Sequence, residues 1–380
     1  MARSRGLVVP KIVHAELMMV DLQPKVPRTD AIQSFASQET PILRLTDAEG
    51  VVGTGYSYTI GTGGPAVISL LRETLLPRII GREAEEIGGI WRDLLLSTHA
   101  TSVGVITSLA LATIDTALWD LRCLRAKQPL WRMAGGAKPE VPLYSTEGGW
   151  LHIETEALVS DALAMQAKGF AGAKIKVGKP NLSEDRARLA AVRGSVGDEF
   201  QILVDGNQSF NLSEAKCRAD MLAEFGIGWF EEPMKADDIG AHVALNSHSR
   251  VPIAVGESMY SLSQFKDYLQ MGGCTIVQAD VARVGGITPW LKIAHMAEAF
   301  NVAICPHFLM ELHVSLTCAV PNAPMLEYIP QLDDITHSRL EICDGNAHAP
   351  RAPGLGIDWN WEAINEKAIA GLTTEIGKRI

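Results

Sequence analysis

The chain has 380 residues, 47% of them hydrophobic and 21% charged, and a formal net charge of −10. This balance is typical of a globular protein long enough for two domains or for one barrel with an appendage. The negative charge argues against a nucleic acid or an anionic membrane as the main partner. The six cysteines are scattered and form no CxxC pair, which indicates reduced thiols, not disulfides or a zinc site.

The start of the chain, MARSRGLVVPK, contains basic residues and a short apolar run that is cut off at Pro10. This run is too short for the core of a signal peptide, and no stretch of the sequence reaches transmembrane length. We therefore expect a cytoplasmic protein that does not insert into a membrane.

The first third of the chain predicts a small α+β domain. Residues 11–58 alternate apolar and polar positions, and the turn signal DAEG at 47–50 favours an antiparallel hairpin. Residues 65–134 then show apolar positions at three- and four-residue steps, which predicts helices. Because the segment 135–139 (GGAKP) is typical of a linker, we assign residues 1–138 to this domain.

After the linker, predicted strands and helices alternate. Strand ends are predicted at Tyr144, Lys176, Asp205, Glu231, Glu257, Asp280, His307 and Glu327. From Lys176 onward they follow at steps of 20 to 29 residues, the length of one strand, one helix and two short loops. This repeat predicts an α/β fold, a closed parallel barrel with helices outside, over residues 139–340. Ser183 and Ser213 are placed as helix caps. The segment 341–380 has room to return to the first domain.

Three of these strand ends are acids at a constant spacing. Asp205, Glu231 and Glu257 are 26 residues apart, so three carboxylates are predicted on one rim of the barrel. A single acid at a strand end is often only the cap of the next helix, but three in register indicate a hard divalent cation. With no Cys or His at matching points, Mg²⁺ or Mn²⁺ is favoured over Zn²⁺. Asn207 is predicted on the same rim, facing substrate.

Two lysines, Lys174 and Lys176, occupy alternate positions of one predicted strand and therefore share a face. Two lysines that face into a barrel are costly unless function or anions hold them there. Like charges side by side lower a lysine pKa, which would suit a general base. The alternative is a pair of lysines that reach solvent at the strand end.

The remaining strand ends provide a second base. Asp280 and His307 end neighbouring predicted strands, so the carboxylate can orient the imidazole. Glu327, on the last strand, can donate a hydrogen bond to an oxyanion if it is held protonated. Lys176 and His307 would face each other across the metal. Two bases on opposite sides of one carbon suit removal of a proton α to a carboxylate, with a metal to neutralise the enediolate.

The chain resembles the mandelate racemase subgroup of the enolase superfamily, also called the mandelate racemase/muconate lactonizing enzyme group. The motifs that carry the resemblance are KIK at 174–176, DGN at 205–207, EEP at 231–233, GES at 256–258, QADVARVGG at 278–286, PHF at 306–308 and LEY at 326–328. The resemblance implies a modified TIM barrel, (β/α)7β, beneath an α+β capping domain, and symmetric homo-oligomers such as dimers or octamers.

The resemblance also assigns roles to the residues. It implies Asp205, Glu231 and Glu257 as Mg²⁺ ligands. It implies Lys176 as one acid/base and the pair of His307 and Asp280 as the other. The residues implied to contact the carboxylate of a small hydroxy acid are Lys174, Asn207 and Glu327.

Within the subgroup, the segments 148–158, 176–181, 282–293 and 306–316 are most similar to L-talarate/galactarate dehydratases. We therefore expect dehydration of an acid sugar to a 2-keto-3-deoxy acid. A racemase or epimerase that uses the same bases is the alternative, and a non-catalytic binding protein is a remote one. One departure concerns the capping loops, where those dehydratases are expected to hold the distal carboxylate with cations. The corresponding segments here, 30–32 and 59–60, carry none, which argues against a diacid sugar.

Overall fold

The structure is a computed structural model that describes residues 10–101 and 104–378. The prediction about an export signal concerns residues that lie mostly outside this part of the chain. No helix in the described ranges has both the length and the apolar character needed to cross a membrane. All six cysteines are free thiols, as predicted.

The strands, in chain order, are β1 (Ile12–Leu22), β2 (Arg28–Thr29), β3 (Ser34–Phe35), β4 (Gln38–Asp47), β5 (Val52–Tyr56), β6 (Glu140–Ser145), β7 (Gly172–Lys176), β8 (Gln201–Asp205), β9 (Phe230–Glu231), β10 (Ile253–Val255), β11 (Ile276–Val277), β12 (Ala303–Ile304), β13 (Leu326–Tyr328), β14 (Ile342–Cys343), β15 (Asn346–His348) and β16 (Thr374–Gly377).

The α-helices are α1 (Gly64–Leu70), α2 (Leu76–Ile79), α3 (Ile87–Ser97), α4 (Val105–Ala126), α5 (Leu130–Met133), α6 (Thr155–Ala167), α7 (Leu182–Val196), α8 (Leu212–Leu222), α9 (Ile239–Asn246), α10 (Leu262–Met271), α11 (Ile287–Ala299), α12 (Met310–Ala319) and α13 (Trp361–Lys367). A π-helical turn, Leu71–Leu75, joins α1 to α2.

The amino-terminal part is an antiparallel sheet packed against helices. Its strand order is β16-β1-β4-β5, and β2 and β3 form a separate small hairpin. The predicted hairpin at 47–50 joins β4 to β5. Asp47 shapes this turn, because its Oδ1 accepts hydrogen bonds from the backbone N–H groups of Glu49 and Val51 at 2.9 and 3.0 Å. The predicted helices of the first domain are confirmed as α1 to α4.

The carboxyl-terminal part is a barrel of eight parallel strands. Their order is β12-β11-β10-β9-β8-β7-β6, with β13 paired to the other side of β6. One helix follows each strand from β6 to β12, so the predicted (β/α)7β fold is confirmed. Lys176, Asp205 and Glu231 end their strands as predicted, whereas Glu257 and His307 lie two and three residues beyond theirs.

Two predicted helix caps are wrong. The caps of α7 and α8 are Asn181 and Asn211 instead of Ser183 and Ser213, so each helix begins two residues earlier than its predicted cap implies. Asn211 is an effective cap because its side chain accepts a hydrogen bond from the N–H of Glu214 at 3.0 Å. An Asn two residues ahead of a Ser competes equally well for this position.

The last forty residues contact both halves of the protein. The hairpin of β14 and β15 pairs antiparallel with β6, and β16 pairs with β1. The proposed boundaries at 138/139 and 340/341 stay a prediction. Asp120 of α4 ties three segments together, because its carboxylate accepts hydrogen bonds from Thr54 N–H at 2.7 Å and Leu355 N–H at 2.8 Å.

We predict that Asp120→Ala lowers the free energy of unfolding by about 2–5 kcal/mol, because it leaves two buried N–H groups without an acceptor. Urea denaturation measures this change. Asp220→Ala is the matched control: Asp220 is 62% exposed, so its removal should change stability by less than about 0.5 kcal/mol. Equal effects of the two substitutions would contradict this account of Asp120.

Candidate active site

Three buried carboxylates meet at the rim of the barrel. One oxygen from each of Asp205, Glu231 and Glu257 lies within 4.8 Å of the others. The parallel pairing of β8 with β9 places Asp205 beside Glu231. Gly256 allows Glu257 to reach them: its φ of +150° is unfavourable for other residues, and a Cβ there would collide with the backbone of Gln278.

The carboxylates perturb one another. Burial and the neighbouring charge of Asp205 raise the pKa of Glu231 to about 7, although Lys174 and Lys176 oppose the shift. Burial also disfavours the charged form of Glu257, but His307 outweighs it and holds the pKa of Glu257 well below its usual range. Three carboxylates this close favour a cation among them, and oxygen donors are the ligands that Mg²⁺ and Mn²⁺ prefer. The site therefore fits the predicted metal.

Lys174 and Lys176 share the inner face of β7, as predicted, and both are buried. Lys174 Nζ lies 2.8 Å from Glu231 Oε1 and 2.9 Å from Glu327 Oε1. Lys176 Nζ lies 2.5 Å from Asp205 Oδ2 and 5.2 Å from the centre of the Trp150 ring. The alternative that these lysines reach solvent is wrong.

The predicted lowering of a lysine pKa is also wrong. Burial acts in that direction, but nearby carboxylates outweigh it, and the pKa of both lysines is raised. For Lys176 the carboxylate of Asp205 is the largest opposing influence, and the neighbouring ammonium of Lys174 is a smaller one. The sequence placed two like charges side by side, but the fold surrounds them with acids.

His307 lies on the opposite side of the triad, between two acids. Its Nε2 is 2.9 Å from Glu257 Oε2, and its Nδ1 is 2.9 Å from Asp280 Oδ2. Burial opposes the imidazolium, but Glu257 and Asp280 raise the pKa of His307 to about 10. Tyr58 Oη donates to the same oxygen of Asp280 at 2.6 Å. The predicted pairing of His307 with Asp280 is therefore present.

Glu327 lies beside this site but does not act as the predicted hydrogen-bond donor. Its carboxylate accepts hydrogen bonds from Thr146 Oγ1 at 2.6 Å and from Phe308 N–H at 2.7 Å. Burial favours its neutral form, but Lys174 and His307 outweigh burial and lower its pKa to about 2. This low pKa favours the ionised form, so the condition for hydrogen-bond donation by Glu327, a protonated carboxyl group, is not met in this arrangement.

The rim beyond the triad contains strained backbone. Asn207, Gln208, Glu232 and Phe308 have positive φ of 44°, 60°, 36° and 73°. Such conformations cost about 1–3 kcal/mol each and persist where surrounding contacts hold them, often at functional sites. Glu232 Oε2 accepts a hydrogen bond from Gln208 Nε2 at 2.9 Å. The side-chain oxygen of Asn207 is buried without a hydrogen-bond partner among the described residues, so it is available to a ligand.

A cavity of about 40 Å³ lies beside Glu257 of the triad, and both halves of the protein line it. The barrel contributes the two lysines and His307, and the amino-terminal part contributes Asp30, Gln33 and Tyr58. The loop after β6 adds Trp150. Gly149 brings this loop against β7, where Lys176 N–H donates to its carbonyl oxygen at 2.8 Å and no room is left for a Cβ.

Sequence reasoning missed Tyr58, Trp150 and Arg283. Arg283 lies in the quoted motif 278–286, and its Nη1 donates to the backbone oxygen of Glu257 at 3.0 Å. Its position three residues after Asp280 was a usable signal. Tyr58 gave no such signal, because only the packing of the first domain on the barrel brings it to the site. The segments 30–32 and 59–60 do border the site region, as expected.

An α+β cap over a (β/α)7β barrel, with rim carboxylates between two nitrogen bases, defines an enzyme of the enolase superfamily. Residues 14–135 match the family model for the mandelate racemase/muconate lactonizing enzyme amino-terminal domain. Residues 157–363 match that for the enolase carboxyl-terminal domain-like unit. The chain belongs to this family, which confirms the resemblance, the fold class and the prediction of an enzyme.

Named relatives are similar over most of their length. The chain is 33% identical to L-talarate/galactarate dehydratase of Salmonella typhimurium, over 89% of this chain and 84% of the relative. It is 34% identical to 3,6-anhydro-alpha-L-galactonate cycloisomerase of Streptomyces coelicolor, over 86% and 91%. The Salmonella dehydratase structure liganded with Mg and L-lyxarohydroxamate superposes with a TM-score of 0.94 at 31% identity, covering 100% of this chain and 98% of that one.

We predict that Lys174→Met lowers the free energy of unfolding of the metal-free protein by about 3–5 kcal/mol, because the carboxylates of Glu231 and Glu327 lose a buried counter-charge. Urea denaturation in EDTA measures the loss. Lys25→Met removes an ion pair from a lysine that is 72% exposed and should cost less than about 1 kcal/mol. A Lys174→Met protein as stable as the control would show that the buried contacts of Lys174 contribute little.

Proposed function

We propose that this enzyme abstracts the proton α to the carboxylate of a small hydroxy acid and that it dehydrates an acid sugar to a 2-keto-3-deoxy acid. One observation carries the proposal. Two nitrogen bases flank the carboxylate triad from opposite sides: Lys176 contacts Asp205 at 2.5 Å, and His307 contacts Glu257 at 2.9 Å. A carbon held between them is open to proton transfer on both faces.

In this proposal Asp205, Glu231 and Glu257 hold Mg²⁺, which Mn²⁺ can replace. When bound, the metal supplies positive charge that stabilises the developing enediolate. Lys174 and Asn207 contact the substrate carboxylate. Glu327 holds Lys174 in place and accepts the N–H of Phe308, the residue next to His307. Glu327 therefore contributes to substrate binding by positioning Lys174 and the backbone next to His307.

The proposed reaction needs one acid and one base. A cation held by the three carboxylates would offset the negative charge that raises the pKa of Lys176 and His307, so that one of the two is available as the base. The α C–H bond breaks, the proton passes to the unprotonated member of this pair, and the electron pair forms the enediolate. The β C–O bond then breaks, and the departing hydroxide takes a proton from the other base and leaves as water. The resulting enol tautomerises to the keto acid. Asp280 orients the His307 ring through Nδ1, so that Nε2 is directed at the triad.

The relatives favour dehydration. Besides the Salmonella enzyme, arabinonate dehydratase of Saccharolobus solfataricus is 31% identical over 86% of this chain and 90% of the relative. Racemisation or epimerisation is the second candidate, because the same two bases can remove a proton on one face and return it on the other. N-succinyl-L-Arg/Lys racemase of Bacillus cereus, 27% identical, represents this outcome. The complete set of acids and bases argues against a non-catalytic binding protein.

The partner is then a small carboxylate, and the structure of L-talarate dehydratase from Polaromonas sp. JS666 complexed with Mg and L-glucarate supports this choice. Three further proposals rest on the sequence and on the family resemblance. The net charge of −10 argues against nucleic acid and anionic membrane as partners. The resemblance implies a homo-oligomer, a dimer or an octamer. A cytoplasmic location suits an enzyme of sugar-acid metabolism.

We predict that the purified enzyme with Mg²⁺ converts at least one member of a hydroxy-acid and acid-sugar library to a 2-keto acid, detected as its semicarbazone. EDTA should abolish turnover, and added Mg²⁺ should restore it. In D₂O, deuterium at the α position without any keto acid would instead favour the racemase. No turnover and no α-deuterium with any acid would overturn the proposed function.

We predict that Lys176→Ala and His307→Asn each lower kcat by about 10²–10⁴-fold, because each removes one proton-transfer group. Steady-state kinetics on the substrate identified in the library measures the loss. Lys168→Ala and His295→Asn are matched controls, since both residues are exposed, and they should keep wild-type rates. If either base variant retained full kcat, the two-base assignment would be wrong.

A further inference from the structure

A second, larger cavity continues from the one beside Glu257. It has a volume of about 250 Å³ and shares Tyr58, Asn207, Glu257 and Arg283 with the first cavity. Since one water molecule takes about 30 Å³, this space accommodates several carbon atoms. A substrate whose carboxylate lies at the triad would therefore extend its far end into this cavity, which we call the distal cavity.

The amino-terminal part lines the distal cavity with the aliphatic side chains of Ile32, Ile60, Val67, Ile106 and Leu109. The barrel lines the other side with polar residues, among them Gln208 and Ser258. Ile32 and Ile106 are 59% and 42% exposed, so two large apolar side chains lie uncovered at its mouth. Exposed apolar surface that converges on a cavity beside an active site is typical of a ligand site.

Specific hydrogen bonds place these aliphatic side chains. Asp30 Oδ1 accepts the N–H groups of Ile32 and Gln33 at 2.8 and 2.9 Å, which directs the turn between β2 and β3 at the cavity. Glu39 Oε2 accepts from Thr59 Oγ1 at 2.6 Å and from Gly64 N–H at 2.8 Å, which fixes the segment that carries Ile60. The apolar walls are thus held in position by the fold.

In the part of the chain that the structure describes, no free cation faces the distal cavity to bind a second carboxylate. Among the described residues that line it, Arg283 is the one cation, and Glu232 and Glu257 are also present. Arg283 is already engaged, because its Nη1 lies 3.0 Å from the backbone oxygen and 3.4 Å from Oε1 of Glu257. Arg283 therefore lies where the two cavities meet, beside Glu257, and not among the aliphatic side chains of the distal cavity.

We infer that the substrate carries one carboxylate, at the metal end, and an uncharged, methyl-terminated far end, as in a 6-deoxyhexonate. This inference rests on the proposed function and narrows its substrate class. A carboxylate in the distal cavity would lose water and gain no counter-charge. A terminal methyl group would instead cover the exposed faces of Ile32 and Ile106.

The test compares three acids of one configuration that differ only at C6: the 6-deoxyhexonate, the hexonate and the hexarate. Each available configuration is assayed with Mg²⁺ for keto-acid formation. We expect kcat/KM to fall roughly 10-fold from the deoxy acid to the hexonate, since an apolar site rejects an added hydroxyl weakly. We expect a further loss on the order of 100-fold or more for the hexarate.

A substitution tests the walls directly. Ile32→Arg introduces a cation at an exposed lining position, where folding should be unaffected. It should raise kcat/KM for the hexarate at least 10-fold relative to the deoxy acid. Met271→Arg is the matched control: Met271 is 54% exposed at the end of α10, outside the cavity lining, and its substitution should leave the ratio unchanged.

The outcomes separate the two proposals. If monoacids and diacids of one configuration turn over equally well, or if the hexarate is preferred, the inference fails while the dehydratase stands. Preference for the hexonate over the deoxy acid would also overturn it. If no acid in any configuration reacts or stabilises the enzyme against heat in the presence of Mg²⁺, the proposed function fails as well.

Discussion

The structure depends on the burial of three carboxylates at one point. An ionised group removed from water costs several kcal/mol unless opposite charge and hydrogen bonds compensate. Here Lys174 lies between Glu231 and Glu327, and His307 lies between Glu257 and Asp280. Acids and bases therefore alternate through the core of the rim. Contacts of the same kind also position the two nitrogen bases, Lys176 against Asp205 and His307 against Glu257.

The barrel can supply this alternation because parallel strands end on one rim. Lys176 pairs in register with Asp205, and Asp205 with Glu231, so a charge sequence is set by the strand pairing itself. Loops then refine it: Gly256 and the strained residues Asn207 and Phe308 redirect the chain just beyond the strands. These strained conformations persist because the parallel strands below them hold the loops in place.

The sequence predicted most of the barrel and the triad, for a physical reason. Even spacing of strand ends is a one-dimensional signal that parallel topology converts directly into proximity, as with Glu231 and Glu257. Charge states were not predictable in this way. The two lysines suggested mutual repulsion. The decisive neighbours are Asp205 for Lys176 and Glu231 for Lys174, which are 29 and 57 residues away in the chain and raise the lysine pKa. Tyr58 was invisible because domain packing alone brings it to Asp280.

The two cavities divide recognition between unlike forces. In the proposed function, a cation held by the triad and the ammonium group of Lys174 would bind the carboxylate of any α-hydroxy acid, so this end of the site cannot distinguish one such acid from another. Discrimination would then come from the distal cavity, where the aliphatic side chains of the amino-terminal part act through desolvation. Such side chains reject a charged group far more strongly than an added hydroxyl or methylene, which changes rates by roughly 10–200-fold. With Ile32, Ile60 and Leu109 beside the far end of the substrate, the enzyme would reject substrates with a charged far end. It would discriminate less between substrates whose far ends differ in size or hydroxylation.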